Sequence, residues 1–242
     1  YVLTTNEFVY RMSNQSMQYA PETKVIYGEL PRNDVLFSGR GRELEKLVEG
    51  SYDKVVMWAP TLREVKKGNR SDSSREYPFG ISVVYREEEM EQLNEFLRQK
   101  EILLLLKIHP NQKKNYRDRE YSNIRYLDAK AIKKVHAYKL LTQMDAMISD
   151  YSSIVYDYML LDRPIAWALD DMEEYQLPFL MENPLEYMPG EKLYCFQDLL
   201  RFLEQVKRGE DPYRQERALI AARCNAPMEG KGCEHIAQFL GL

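Results

Sequence analysis

Polar or titratable side chains follow four apolar runs of this sequence, each at the point where the run ends. They are Thr61 and Arg63 after KVVMWA, His109 after EILLLLKI, Asp150, Ser152 and Ser153 after AMIS, and Asp170 and Asp171 after PIAWAL. A guanidinium group binds a phosphate through two parallel hydrogen bonds, and a histidine ring can protonate a leaving oxygen near neutral pH. Serine hydroxyls at a helix start add to the N–H groups that bind anions there. The set predicts a phosphate-binding site.

The apolar runs predict the elements that hold these side chains. Strands are expected over Tyr1–Thr5, Lys24–Tyr27, Lys54–Ala59, Glu101–Ile108, Asn123–Tyr126, Ala146–Ser149 and Pro164–Leu169, and helices over Asn6–Tyr19, Glu87–Gln99, Ala131–Met144, Ser152–Leu161, Phe196–Lys207, Asp211–Cys224 and Cys233–Leu240. Continuous apolar strands that alternate with amphipathic helices are typical of α/β proteins, with a parallel sheet covered by helices on both faces. Ligands of such sheets bind at the carboxyl ends of the strands, where the polar residues lie.

Each candidate also has a purely structural interpretation, and the residues alone leave both open. His109 is compatible with a histidine held by backbone partners, Arg63 with a surface ion pair, and Asp150 or Ser152 with a helix cap that binds nothing. A basic run follows His109 and contains Lys113, Lys114, Arg117 and Arg119. Such a run is usually solvated, but beside a phosphate site it would attract a polyanion.

Composition and missing motifs exclude several classes of protein. A net charge of −4 over 242 residues gives no strong field for nucleic acid. The sequence has no GxGxxG, GxxxxGK[ST] or GxSxG motif. Its three cysteines lack the CxxC spacing of a zinc site, and they favour a reducing compartment. The pair Asp170-Asp171 lacks the D-x-D spacing of a metal site, and no apolar run is long enough to cross a bilayer.

Four segments together resemble the CDP-glycerol glycerophosphotransferase family, the teichoic acid polymerases and primases. They are GELPRND at 28–34, WAPTLR at 58–63, KIHP at 107–110, and ISDYSS at 148–153 running on to LDRP at 161–164. Their order and approximate spacing match the family, and a weaker similarity continues to the C-terminal region, so the resemblance covers almost the whole chain. The sequence departs from the family at Glu29-Leu30, where one aromatic residue is frequent, and at Cys233, where a small polar residue is common.

The resemblance implies a GT-B fold, in which two Rossmann-like domains face each other across a cleft. Residues 1–27 are then expected to be the end of the N-terminal acceptor domain and the crossover. Residues 28–223 would form the C-terminal nucleotide (donor)-binding domain, and residues 224–242 a C-terminal helix that packs back on the fold. Natural sequence upstream of Tyr1 is expected, and with it the family's general base, a histidine of the other domain.

The resemblance also implies a role for each matching residue. His109 matches the donor-side histidine, which stabilises or protonates the departing phosphate. Donor binding is implied for Thr61, Arg63, Asp150, Ser152, Ser153 and Asp157, and a shaping role at the domain junction for Arg32, Asn33 and Asp34. No metal or other cofactor is implied.

The implied activity is transfer of glycerol phosphate, or a related polyol phosphate, from a CDP-activated donor with release of CMP. The acceptor would be a hydroxyl of a lipid-linked teichoic acid or capsular polymer, reached at the cytoplasmic face of the membrane through peripheral contacts of the upstream region. No nucleic acid partner is expected. Two alternatives remain open: a GT-B glycosyltransferase that uses a nucleotide sugar, and a non-catalytic module that binds a nucleotide or a polymer.

Overall fold

The computed structural model describes residues 1–62, 75–108, 120–127 and 129–242. It begins with a small unit in which β1 (Val2–Thr4) and β2 (Val25–Tyr27) pair in parallel and α1 (Glu7–Met17) connects them. The side chain of Asn6 accepts a hydrogen bond from the Val9 N–H at 3.0 Å, and this N-cap fixes the start of α1. The unit has its own two-stranded sheet, separate from the larger sheet that follows.

The larger sheet has six strands. They are β3 (Lys54–Ala59), β4 (Ile102–Leu106), β5 (Ile124–Tyr126), β6 (Ala146–Ser149), β7 (Ile165–Ala168) and β8 (Glu191–Leu193). All neighbours pair in parallel, in the spatial order β5-β4-β3-β6-β7-β8. From β3, the next two strands in sequence, β4 and β5, are added on one side. The chain then crosses to the other side of β3, where β6, β7 and β8 follow in order. This is the doubly wound order, and ligands of such sheets bind where the order reverses, between β3 and β6.

Helices cover both faces of this sheet. The helices that follow β2 are α2 (Glu87–Gln99), α3 (Ala129–Ile132), α4 (Ala137–Leu141), α5 (Ile154–Tyr158), α6 (Phe196–Arg208), α7 (Arg214–Cys224) and α8 (Gly232–Leu240), of which α8 packs mainly on the 3-10 helix Pro31–Leu36. Side chains of α2 and α6 pack with Val56 and Trp58 on one face, and side chains of α4 and α5 pack with Val55 and Met57 on the other. Because both faces are covered, β3 and β4 are apolar without alternation. The predicted α/β fold with a parallel sheet is confirmed.

The strand register brings the ends of β3 and β6 together. Ala59 is paired with Ser149, and the Ser149 hydroxyl donates a hydrogen bond of 2.6 Å to the Ala59 carbonyl. The residues that follow these two strands therefore leave the sheet side by side. Within the described ranges, no helix combines the length and the apolar character that a membrane span requires.

The helix predicted over Ala131–Met144 is wrong as a single element, because α3 ends at Ile132 and α4 begins only at Ala137. The break lies at His136, whose N–H donates to the Glu43 carboxylate at 3.2 Å and whose Nδ1 accepts from the Lys139 N–H at 3.3 Å. A contact with a residue 93 positions away thus interrupts a segment whose local pattern favours a helix.

Two further elements differ from the sequence-based expectation. The helix predicted over Ser152–Leu161 begins two residues later and changes to a 3-10 helix at Met159–Leu161. Strand β8 was not predicted, because it is three residues long and begins with two polar residues. It follows Gly190, whose φ of +132° suits glycine, and a Cβ there would lie 2.3 Å from the Ile165 carbonyl oxygen.

Candidate functional site

The residues that follow β3, β6 and β7 form one polar cluster, called here the carboxyl edge: Thr61, Asp150, Tyr151, Asp170 and Asp171. Asp150 is 1% exposed and lies at its centre. Its carboxylate accepts hydrogen bonds from the Thr61 N–H at 2.9 Å, from the Thr61 hydroxyl at 2.5 Å and from the Tyr151 N–H at 2.6 Å. Asp150 therefore bridges the reversal of strand order and does not cap α5, which has no side-chain cap.

The acidic pair after β7 is held by tyrosines. The Asp171 carboxylate accepts from the Tyr77 hydroxyl at 2.5 Å and from the Tyr151 hydroxyl at 2.9 Å. The Tyr85 hydroxyl and the Val83 N–H donate to Asp170, and burial raises the pKa of Asp170. These bonds fasten the segment 75–85 to the carboxyl edge.

An aromatic wall continues from this acidic pair. The ring centroid of Tyr151 lies 4.2 Å from that of Tyr175 and 5.2 Å from that of Phe179. Sequence reasoning assigned no role to these residues or to Tyr77 and Tyr85. A signal was present in the composition, because the chain has 18 tyrosines against 8 phenylalanines. Composition does not show which tyrosines meet.

Lys107 directly follows β4 and was also given no role from the sequence. It is half-buried beside Met57 and Ile154, and burial lowers the pKa of its ammonium group. Within the described ranges its side chain has no hydrogen-bond or ion-pair partner. A half-buried cation without a partner at the end of a strand is suited to an anionic ligand.

Asp157 lies one turn into α5 and binds protein groups with both carboxylate oxygens. It accepts from Arg32 Nε at 2.9 Å, Arg32 Nη2 at 3.2 Å, Asn33 Nδ2 at 3.0 Å and the Tyr138 hydroxyl at 2.7 Å. Burial alone would lower the pKa of Arg32, but the bonds to Asp157 raise it. Asp157 therefore connects α5 to the 3-10 helix Pro31–Leu36, which carries Arg32 and Asn33.

Two other carboxylates tie this 3-10 helix to the end of the chain. Glu29 accepts hydrogen bonds of 2.7 to 3.0 Å from the backbone N–H groups of residues 229, 230 and 231. Asp34 accepts bonds of 2.8 Å from the N–H groups of Gly232 and Cys233, at the start of α8. Burial opposes ionisation of Asp34, yet these bonds hold its pKa below the usual range. We call residues 29–36 and 229–233 the junction.

The sequence-predicted site residues thus fall into two groups. Thr61 and Asp150 are bonded to each other, and Ser152 and Ser153 follow Asp150 directly. In the second group, Arg32 and Asn33 donate hydrogen bonds to Asp157, and Asp34 accepts a hydrogen bond from the start of α8. The predictions for His109, for Arg63 and for the basic run 113–119 fall outside the described residues. Among the residues that are described, no three His, Cys, Asp or Glu side chains are grouped as metal ligands.

A cavity of about 300 Å³ separates the β1-α1-β2 unit from α5. Its lining includes Thr4, Met12, Arg32, Ser153, Tyr156 and Leu180. The cavity therefore opens between the two groups of candidate residues, with Ser153 at its boundary.

A doubly wound parallel sheet with polar groups at its strand reversal defines a Rossmann-like domain of the nucleotide-binding type. The sequence profile of one family, described as CDP-Glycerol:Poly(glycerophosphate) glycerophosphotransferase, matches residues 1–241. The chain belongs to this family. The family predicted from the four sequence segments is confirmed.

Curated relatives are teichoic acid enzymes. The ribitol-phosphate polymerase TarL of Staphylococcus aureus is 27% identical over 192 residues, which are 76% of this chain and 32% of TarL. The teichoic acid glycerol-phosphate primase of Bacillus subtilis is 24% identical over 214 residues, 87% of this chain and 49% of the primase. The chain thus spans at most about half the length of these two relatives.

A solved structure of the wall teichoic acid polymerase TagF superposes on the whole chain with a TM-score of 0.73 and 24% identity, and the chain covers 57% of it. The fold of this chain is therefore the fold found in TagF, and the predicted GT-B-type domain is confirmed.

Proposed function

We propose that the chain is the donor-binding part of a transferase that moves glycerol phosphate, or a related polyol phosphate, from a CDP-activated donor to a hydroxyl of a teichoic acid polymer. The observation that carries this proposal is the family match over residues 1–241, together with the Thr61–Asp150 bridge at the reversal of strand order. The relatives support it: their names specify glycerol-phosphate and ribitol-phosphate enzymes, and one TagF structure was obtained after a soak with CDPG.

In the proposed reaction an acceptor hydroxyl attacks the β-phosphorus of the donor. A new oxygen–phosphorus bond forms, the bond between the β-phosphorus and the oxygen bridging to CMP breaks, and CMP leaves with the bonding electron pair. The hydroxyl proton passes to a general base, which we place in the other domain. His109 stabilises or protonates the departing phosphate, and Arg63, Ser152 and Ser153 bind the diphosphate. Catalysis then rests on positioning and charge neutralisation.

The carboxyl edge has parts suited to the nucleotide. The Asp150 bridge fixes the Thr61 turn next to Ser152, and the aromatic wall of Tyr151 and Tyr175 offers ring faces to a base. Lys107 adds a positive charge at the end of the adjacent strand, and it is paired with none of the described residues. In this proposal no metal ion takes part, and the polymer acceptor is lipid-linked and met at the cytoplasmic face of the membrane.

Calorimetric titration tests the proposal directly. The chain is titrated with CMP, CDP-glycerol, CDP-ribitol and UDP-glucose, with EDTA present. We expect the three cytidine compounds to bind and His109→Ala to weaken CDP-glycerol more than CMP, because the histidine acts at the transferred phosphate. Thr61→Val should weaken all three cytidine ligands, because it loosens the bridge to Asp150.

Other outcomes separate the alternatives. Binding of UDP-glucose alone would favour a glycosyltransferase that uses a nucleotide sugar. Binding that appears only when EDTA is omitted would contradict the metal-free mechanism. Binding of CDP-glycerol without transfer, even when the full-length protein is supplied with acceptor polymer, would favour a non-catalytic module.

A further inference from the structure

The cavity between the β1-α1-β2 unit and α5 is distinct from the carboxyl edge. None of the carboxyl-edge residues is among the described residues that line it. Half of its wall comes from the N-terminal unit, including Thr4, Met12 and Ser13, and the remainder includes Arg32 and Ser153. Its volume of about 300 Å³ is at the lower end of small-molecule sites. It is therefore large enough for a small ligand, and it adjoins the proposed diphosphate site through Ser153.

Arg32 is the only basic residue among the described residues that line this cavity, and it is ion-paired with Asp157, which lines it too. Two of its nitrogens, Nε and Nη2, donate to Asp157, and the guanidinium also interacts with the Tyr138 side chain. The Arg32 side chain is 50% exposed, and the Asp157 side chain only 5%. By contrast, the Arg217 side chain is 1% exposed and its ion pairs with Asp162 and Asp211 enclose it. Asp157 thus holds one edge of the Arg32 guanidinium, and the opposite edge is accessible to a ligand. A guanidinium held in this way can bind a phosphate.

The remaining lining is compatible with a phosphorylated polyol. Asp157 is the only acidic residue among the described lining residues, and its oxygens already accept from Arg32, Asn33 and Tyr138. No free carboxylate therefore repels an anion. Hydroxyl groups of Thr4, Tyr19, Ser153 and Tyr156 line part of the wall and can meet polyol hydroxyls. Much of the remaining wall is apolar and can pack against the carbon atoms of the polyol, as at Val9, Met12 and Leu180.

We propose that this cavity binds one polyol-phosphate unit of the acceptor polymer. Arg32 contacts its phosphate, Ser153 contacts it at the boundary with the donor site, and Asp157 is a positioning residue that orients Arg32. The inference rests on the proposed function, because that reaction needs a second phosphate-bearing substrate beside the donor. The position agrees, since Ser153 lines the cavity and lies three residues after Asp150 of the carboxyl edge.

Heteronuclear NMR of the chain tests this proposal, with sn-glycerol 3-phosphate as the acceptor probe and CMP as the donor probe. The reporter is the Nε–H signal of Arg32, identified by its loss in Arg32→Lys. We expect glycerol 3-phosphate, added up to about 10 mM, to shift this signal and to saturate. Arg32→Lys should weaken its binding about tenfold or more, followed through backbone amides near Ser153, and leave CMP affinity unchanged.

Single and double variants test whether Asp157 acts through Arg32. Asp157→Asn should weaken glycerol 3-phosphate and move the Arg32 Nε–H signal before any ligand is added. The double variant Arg32→Lys/Asp157→Asn should bind no more weakly than Arg32→Lys alone, because Asp157 acts through Arg32. Independent, additive losses would contradict the positioning role. The matched control is Arg208→Lys, an exposed arginine paired with Glu204 on α6, which should bind both probes like the wild type.

Competition separates this inference from the proposed function. In CMP-saturated protein, glycerol 3-phosphate should bind with unchanged affinity. If CMP displaces it, or if Arg32→Lys weakens both probes equally, the cavity belongs to the donor and the acceptor assignment is overturned. If glycerol 3-phosphate fails to bind while CMP binds, the acceptor site is likewise overturned and the donor function stands. If CMP fails to bind while glycerol 3-phosphate binds, the result would count against the donor function.

Discussion

The carboxyl edge and the junction are both built around buried or half-buried carboxylates, but they are held in different ways. At the carboxyl edge, Asp150 bonds to groups that the strand register already brings together, and β3 beneath it is buried and apolar from Val55 to Ala59. At the junction, Glu29 and Asp34 join segments that are 198 to 202 residues apart in sequence. The edge thus depends on the core, whereas the junction depends directly on hydrogen bonds to a few carboxylates.

This difference predicts two kinds of sensitivity. Damage to the apolar sheet should lower the free energy of unfolding of the whole domain, because one core supports all the strands. Damage to the junction should act mainly on the segments it joins, and it should depend on charge and pH. The following substitutions test that contrast, from the largest expected effect to the smallest.

Leu104→Ala should have the largest effect on stability. Leu104 is fully buried in β4, and its loss removes apolar contacts and leaves a cavity. We expect the free energy of unfolding to fall by about 3–4 kcal/mol in urea denaturation. The control Leu219→Ala, at a residue that is 73% exposed, should change it by less than about 0.5 kcal/mol. Equal effects at the two sites would refute the idea that this sheet carries the stability.

Asp157→Ala should come next, with a loss of about 2–3 kcal/mol in the same measurement. Asn33 is 0% exposed and would lose its side-chain partner, as would the Tyr138 hydroxyl. The control is Asp53→Ala, because Asp53 forms a more exposed ion pair with Lys207. That change should cost much less than Asp157→Ala, because water screens the exposed pair. A loss at Asp157 as small as at Asp53 would mean that these hydrogen bonds add little to stability.

Gly232→Ala should disturb the junction by steric pressure. A Cβ at this position would lie 2.9 Å from Asp34 Oδ1 and 3.0 Å from the Glu29 carbonyl oxygen. We expect a loss of about 1–2 kcal/mol, with faster hydrogen exchange concentrated in residues 229–233. Gly28→Ala is the matched control nearby, because a Cβ there meets nothing within 4 Å. Faster exchange spread evenly over the six strands would contradict a separately held junction.

Lys107→Met should have opposite effects on the stability of the domain and on CMP binding at the carboxyl edge. Removing a half-buried charge that pairs with none of the described residues should raise the free energy of unfolding by about 1 kcal/mol. The same change should weaken CMP binding, because the positive charge is lost. A stability gain without any change in CMP affinity, measured by calorimetry, would exclude Lys107 from the donor site.

Acidification should release the start of α8 with a small effect confined to the junction. The folded-state pKa of Asp34 lies below its ordinary value of 3.8, so its contribution is present above that value and is lost as the pH falls through the lower, folded-state pKa. The amides of Gly232 and Cys233 should then lose protection in hydrogen exchange measured by NMR. In Asp34→Asn these amides should show no such pH dependence, and a persisting dependence would assign it to another group.

Much of the core could be predicted from the sequence because its signals are local. The observed bounds of β3, β6 and α2 equal the predicted ones, since an unbroken apolar run or a helical period lies within the segment itself. The break at His136 could not be predicted in this way. It depends on Glu43, which is remote in sequence and carries no local sign of that contact.

The sequence by itself determined the family, the α/β class of the domain with its parallel sheet, and the positions where polar residues leave the strands. Only the tertiary structure decided what each polar residue faces. Asp150 and Asp157 are only seven residues apart in sequence. Asp150 nevertheless joins the ends of two strands, whereas Asp157 orients Arg32, which lies 125 residues away in the sequence. The physical reason is that apolar burial follows local periodicity, whereas a hydrogen bond requires a partner within about 3 Å, and the whole fold selects that partner.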